Sequence, residues 1–398
     1  MKTKFLINPL LLLALLFISC STDDDTPNNN NIDMNEIVIP SDQISSIDKQ
    51  LLSQIKKAGI LFDADEIWTG FNLTETPMYL VHKNKEGKVD RGIIINPQSA
   101  ISNALEIDEE NNNGLEVYRY DDEILRAFQL ITSDTGNGLY DFNFKIDNQN
   151  YYLQIYSDDE VIAGEELAIY PGGFFDPDTI TIGAIDFILH ENFHTYQDSW
   201  NPKRTSIKNI EQHQKSSISK EILELRTLTH QIFKDFPNGA ISRTVLEEKL
   251  KQYVAIRSKE SELDSSIKYA YDLSETDEGS ARYIERMAVR ALFPKRSNES
   301  FIPGSVLDND YGITNQEILT LVFDSVLLYE IGASVCLAIS TIDREALDDI
   351  NTDKTLFEVA KNLFNMSETE LAQQLQNAKN SVDWNAIQTK VSVWQTLN

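Results

Sequence analysis

Two histidines and a glutamate raise the first chemical expectation for this chain. His190-Glu191-Asn192-Phe193-His194 is an HExxH pentapeptide. On a helix, residues four apart stand one turn apart on the same face, so both imidazoles can reach one metal ion. Glu191 lies beside them, placed to take a proton from a water held on that ion. Only five histidines occur in 398 residues, and two of them fall in this pattern. A catalytic zinc takes three protein ligands and leaves one position open, so a third ligand must lie outside the pentapeptide. The best candidate is Glu278, in Glu275-Thr276-Asp277-Glu278-Gly279-Ser280-Ala281-Arg282-Tyr283. Gly279, Ser280 and Ala281 are small and suit close packing of their helix against the metal helix. Glu275 and Glu285 share the face of Glu278 at helical spacing and are its rivals.

These groups need elements to hold them. The spacing predicts a metal helix from near Thr179 or Thr181 to about Gln197. One stripe carries Ile182, Asp186, His190, Phe193, His194 and Gln197, and another carries Ile185, Leu189 and Asn192. A helix that buries ionisable side chains among apolar ones must give them partners, and a metal is such a partner. Asp186 and Gln197, one turn before His190 and just under one turn after His194, are placed to orient those imidazoles by hydrogen bonds. Upstream, Ser46 to Ala58 has helical spacing, and Met78 to His82 and Gly92 to Ile95 read as strands joined around Lys85-Glu86-Gly87. Tyr140 to Tyr156 alternates apolar and polar around a turn at Asp147-Asn148-Gln149-Asn150, which predicts a hairpin. Glu109 to Gly114 reads as a surface loop, and Glu166 to Tyr170 as an extended segment ending at Pro171-Gly172-Gly173.

Beyond Asp176-Pro177-Asp178 the pattern turns helical, with Ser219 to Phe233, Arg243 to Ser258 and Asn315 to Ile339 the clearest runs. Ile318 to Ile339 is apolar enough to raise a membrane span, but Asp324 and Glu330 inside it argue for a buried helix. The fold class expected is therefore α+β. A mixed β-sheet over residues 37–200 ends in the metal helix, and a mostly helical half over 201–398 carries the third ligand.

Taken together, His190-Glu191-Asn192-Phe193-His194-Thr195-Tyr196-Gln197 and Glu278-Gly279-Ser280-Ala281-Arg282-Tyr283 resemble the gluzincin group of zinc metallopeptidases. More narrowly, they are similar to bacterial families with an HExxHxxQ helix and a downstream EGxAxY helix. The resemblance implies a zincin-like fold holding one Zn2+ per chain on His190, His194 and Glu278. It also implies that Glu166 to Tyr170 is the edge strand that aligns a peptide, and that the reaction is metal-assisted amide hydrolysis. Glu191 would then carry the water proton to the leaving amine. The developing oxyanion needs a further donor; Tyr329, His230, Tyr283 and Tyr271 are candidates, with Tyr329 favoured by the small residues Gly332, Ala333 and Ser334 that follow it. His82 and His213 read as surface histidines.

The N-terminus predicts a compartment. Lys2 and Lys4 precede an apolar run, Phe5 to Ile18, that ends at Phe17-Ile18-Ser19-Cys20 and is too short to cross a bilayer. This resembles a bacterial lipobox, with residues 1–19 as the signal and Cys20 lipidated. The acidic run after it resembles the surface-export signal of Bacteroidetes lipoproteins, implying a cell-envelope, outer-membrane lipoprotein facing the exterior. Residues 20–36 read as a disordered tether. Cys336 has no partner once Cys20 carries lipid, so an internal disulfide is not expected. The formal charge of −28 becomes −30 without residues 1–19, which hold two lysines and no acid. Such a surface repels nucleic acid and anionic lipid, which leaves a peptide or protein substrate and membrane attachment through the anchor alone. Two other readings fit the motifs, namely an inactive zincin-fold binding lipoprotein and a zinc hydrolase of a non-peptide substrate. The intact Glu191 argues against the first, since binding alone needs no general base.

Overall fold

The structure is a computed structural model and describes residues 44–63, 67–84, 86–108, 114–133, 143–157, 182–197, 199–200, 218–234, 236, 241–265, 267–293, 313–352 and 354–397. Cys20, the tether, the segment Glu166 to Tyr170, most of the loop 109–114 and His213 lie outside them. Contacts divide the chain into two compact units, residues 1–192 with 291–293, and residues 193–290 with 294–398. The boundary falls inside the metal helix, between Asn192 and Phe193.

Among the described residues, the first unit is built on a six-stranded mixed sheet. Its strands are β1 (Met78–Lys83), β2 (Val89–Ile95), β3 (Leu105–Glu106), β4 (Val117–Arg119), β5 (Asn143–Ile146) and β6 (Gln149–Ser157). They are ordered β3-β4-β2-β1-β6-β5, with β1 and β6 parallel and the other pairs antiparallel. Both faces of β1 are covered, so Met78, Tyr79, Leu80, Val81 and His82 are all buried. The β5–β6 turn is tighter than the sequence suggests. Asp147 and Asn148 alone make it, both at positive φ (46° and 65°), the left-handed pair that matches the twist of a two-residue hairpin.

Helix α1 (Ser46–Asp63) opens on a reciprocal cap, in which the Ser45 amide donates to Asp48 Oδ2 (2.8 Å) and the Asp48 amide donates to Ser45 Oγ (3.2 Å). The same carboxylate ties the helix to the sheet. It accepts from Arg91 Nε (2.7 Å) and Nη2 (2.8 Å) on β2 and from the Tyr156 hydroxyl (2.6 Å) on β6. Burial pushes the Asp48 carboxyl up, but the bonds and charge of Arg91, with Tyr156 and Ser45, outweigh it and hold the group below 3.8. Helix α2 (Ile124–Ser133) packs Ile124 and Ala127 into a cluster with Tyr79, Val81, Ile94, Phe144 and Leu153.

Among the described residues the second unit is helical, with the last two residues of its third helix, 291 and 292, belonging to the first unit. It comprises α4 (Lys220–Phe233), α5 (Arg243–Leu263), α6 (Ile267–Leu292), α7 (Gln316–Leu321), a π turn (Val322–Val326), α8 (Leu327–Ile342), α9 (Arg344–Asp348), α10 (Leu356–Phe364), α11 (Glu368–Asn380) and α12 (Trp384–Trp394). Helix starts are marked chemically: the side chains of Ser219, Ser242 and Asn315 each accept from a backbone amide of the first turn. Thr355 with Glu358 and Ser367 with Glu370 form full capping boxes. The apolar stretch Gln316–Ile342 is mostly buried, which fits a core helix. Cys336 on it is fully buried, and burial, then Glu275, pushes its thiol well above 9.0.

Candidate metal centre

The helix of the two histidines, α3, is described from Ile182 to Gln197; the two expected starts, Thr179 and Thr181, lie outside the described residues. It buries Ala184, Ile185, Ile188, Leu189 and Phe193 and leaves Glu191, His194 and Gln197 only partly covered. That division follows from the helical period: the apolar positions fill one side and the histidine side faces away from them. Phe193 is further held edge-on by Trp200, ring centroids 5.8 Å apart.

One donor atom from each of His190, His194 and Glu278 lies within 4.8 Å of the other two. His190 is 7% exposed, whereas the side chains of His194 and Glu278 are 25% and 17% exposed, so one side of the triad opens to solvent. His194 Nε2 stands 3.2 Å from Glu278 Oε2. On its other edge, His194 Nδ1 stands 2.6 Å from Gln197 Oε1.

The donor set fits a divalent cation. Both ring nitrogens of His194 face oxygen acceptors, and a neutral imidazole has one proton to donate. With the Nδ1 proton given to Gln197, the Nε2 lone pair of a neutral ring points at the Glu278 carboxylate, an arrangement that a bound cation or a second proton on the ring relieves. Two imidazole nitrogens and one carboxylate oxygen are also the ligand types and number of a catalytic zinc site.

The structure separates Glu278 from its rivals. Glu275 is completely buried, with the Tyr253 hydroxyl and the Arg257 guanidinium donating to its two oxygens. Glu285 is engaged by Arg282 Nη1 through both oxygens, at 2.5 and 2.6 Å. The expected role of the small residues divides in two. Gly279 crosses Gly332 of α8, where a Cβ on Gly279 would stand 2.4 Å from the Gly332 Cα. Ser280 faces the metal helix instead, accepting from Gln197 Nε2 at 2.9 Å.

Asp186 is half-buried one turn before His190 on α3. Of the oxyanion candidates, Tyr283 directs its hydroxyl to Ser340 Oγ (3.2 Å) and is 2% exposed. Tyr271 is 6% exposed and lies under Arg226 and Arg257, at 3.8 and 4.3 Å from its ring centre. His230 is fully buried. Tyr329 alone among them is half-exposed, with its ring 5.7 Å from the guanidinium carbon of Arg282, one turn beyond Glu278 on α6. His82 is not a surface residue: it is 2% exposed and its Nδ1 pairs with Asp90 Oδ1 at 2.8 Å.

Tyr152 was not distinguished by sequence. Burial, and then the charge of Glu191, push its hydroxyl well above 10.0, so it stays a neutral phenol within electrostatic reach of that carboxylate, donating to Gln154 Oε1 at 2.8 Å. In the alternating pattern of β6 it is one tyrosine among several, with nothing to mark it. Compared with known protein families, with curated proteins and with solved structures, the chain gives no match in any of the three.

Proposed function

We propose that this chain is a zinc-dependent metallopeptidase of the gluzincin type, with a zincin-like fold, held at the cell envelope by lipid on Cys20. The convergence of His190, His194 and Glu278, with Glu191 next to His190 on the same helix, carries the reading. When bound there, zinc supplies Lewis acidity, making water acidic near neutrality and polarising a scissile carbonyl.

The chain's own residues do the rest. Glu191, part-exposed between the two histidines, takes the proton of the attacking water and delivers it to the leaving amine. Tyr152 remains protonated beside it and does not compete as a base. In this reading Tyr329, half-exposed and with its ring 5.7 Å from the Arg282 guanidinium one turn beyond Glu278, donates its hydroxyl to the developing oxyanion. Asp186 and Gln197 orient the imidazoles. The acidic surface favours no nucleic acid partner.

The test is a peptide-library digest by the zinc-loaded full chain and by Glu191→Gln. Cleavage by the wild type, reduced about 10²- to 10⁴-fold in the variant with zinc retained, is expected of a general base. Zinc-dependent cleavage that persists undiminished in Glu191→Gln would overturn the assignment.

A further inference from the structure

Gln197 is bonded on three sides, and the directions of those bonds are not interchangeable. Its Nε2 stands 2.8 Å from the Asp277 carbonyl oxygen and 2.9 Å from Ser280 Oγ. A backbone carbonyl only accepts, so the nitrogen of the amide must face it. Ser280 is fully buried, and its hydroxyl donates to the Thr276 carbonyl at 2.7 Å, leaving its lone pair for the second Gln197 proton. Both amide protons are then used on helix α6, and Oε1 is turned by default toward His194 Nδ1, 2.6 Å away.

An amide oxygen only accepts, so Nδ1 must carry the ring proton. We infer that Gln197 and Ser280 are positioning residues which, anchored on the backbone of the Glu278 helix, fix the His194 tautomer and so dedicate Nε2 to the metal. The inference rests on the metal-site reading for its purpose, but its physical content holds in the metal-free protein. The direction of control is informative. The carbonyl of Asp277 immediately precedes Glu278, so the segment that delivers the third ligand also selects the ligating nitrogen of the second.

Removing the relay has a definite consequence. Without Gln197 Oε1, the strongest acceptor beside the ring is Glu278 Oε2, 3.2 Å from Nε2. The proton then moves to Nε2, where it blocks the metal position. Loss of such an outer hydrogen-bond partner typically weakens metal binding about 10- to 100-fold.

The deciding experiment is nitrogen NMR of histidine-labelled, metal-free full chain, in buffer above the ordinary imidazole range. The wild type is expected to show His194 protonated on Nδ1, and Gln197→Met to show it protonated on Nε2. Ser280→Ala, which leaves the Asp277 bond, is expected to give a mixture of the two. Zinc affinity of the same proteins, measured by chelator competition, is expected to fall in the order wild type, Ser280→Ala, Gln197→Met. A wild-type His194 protonated on Nε2 overturns the inference, and so does a Gln197→Met spectrum that keeps the Nδ1 proton. Should the wild type show the Nδ1 proton and yet take up no zinc, the peptidase reading fails while the relay stands. The wild-type spectrum alone is decisive, so a variant that folds poorly does not blunt the test.

Discussion

Replacing Asp272 by asparagine is expected to change how stability depends on pH, and the size of the effect follows from the surroundings of one carboxyl. Asp272 lies on α6 and is 1% exposed. Among the described residues its only oppositely charged partner at contact is Arg257, Nε to Oδ1 3.5 Å, and no hydrogen-bond donor reaches either oxygen. Arg257 is itself shared with Glu260 (2.6 Å) and Glu275. Burial, against the pull of Arg257 and with the added repulsion of Glu275, Glu260 and Glu358, pushes Asp272 from 3.8 up to about 8.

The folded state therefore holds this proton more tightly than the unfolded chain. For a group raised in this way, stability is full below about pH 4, falls as pH rises, and levels off above about pH 8. At about 1.4 kcal/mol for each tenfold change in proton affinity, the loss over that span is on the order of 5 kcal/mol. Asparagine has the shape of the protonated acid and cannot ionise. Urea unfolding of wild type and Asp272→Asn at both ends of the span reads the group together with its coupling to Glu275, Glu260 and Glu358, because the titrations remote from it are common to both proteins. The difference in unfolding free energy is expected to move in favour of Asp272→Asn by several kcal/mol from the acid to the alkaline end. A difference that does not change with pH would refute the reasoning.

Other consequences are as specific. Tyr329→Phe is expected to lower kcat about 10²- to 10³-fold while zinc content stays unchanged, as removal of one oxyanion donor does elsewhere; unchanged kcat would remove Tyr329 from the mechanism. Gly332→Ala sets a Cβ 2.4 Å from the Glu275 carbonyl oxygen and 2.6 Å from the Gly279 Cα. Both are backbone atoms, so the helices must part, at a cost of about 1–3 kcal/mol or more in urea unfolding. Asp48→Asn breaks a buried ion pair with Arg91 and is expected to cost about 3–5 kcal/mol at neutral pH. Because the Asp48 carboxyl is held below 3.8, that contribution is present above this value and fades as acid protonates the folded state, so the gap between the two proteins must narrow in acid.

The sequence carried the site further than it carried the sheet. HExxH is legible because four residues of helix fix the geometry of its histidines without help from the rest of the chain. Glu278 was legible only as the best of three glutamates, since α6 places Glu275, Glu278 and Glu285 by the same period. What separates them is the buried guanidinium of Arg257 beside one and Arg282 beside another. The small residues after Glu278 announced a close approach to the helix of the two histidines, which holds for Ser280 against Gln197, whereas Gly279 meets Gly332 of α8 instead. His82 was misplaced because strand alternation assumes one wet face, and β1 lies between β2 and β6 with both faces covered. The short strands β3 and β4, two and three residues long, are below what a period-two pattern can reveal. The α+β division itself was legible, because the change from alternating to helical periods is a property of long stretches rather than of single residues.

The central claim, that His190, His194 and Glu278 hold one catalytic metal ion, is tested most directly by zinc content per chain in wild type and Glu278→Ala, measured by elemental mass spectrometry after zinc is supplied and excess removed. About one zinc is expected in the wild type and a clear loss in the variant. A wild-type chain that holds no zinc, or a Glu278→Ala chain that holds as much, would contradict it.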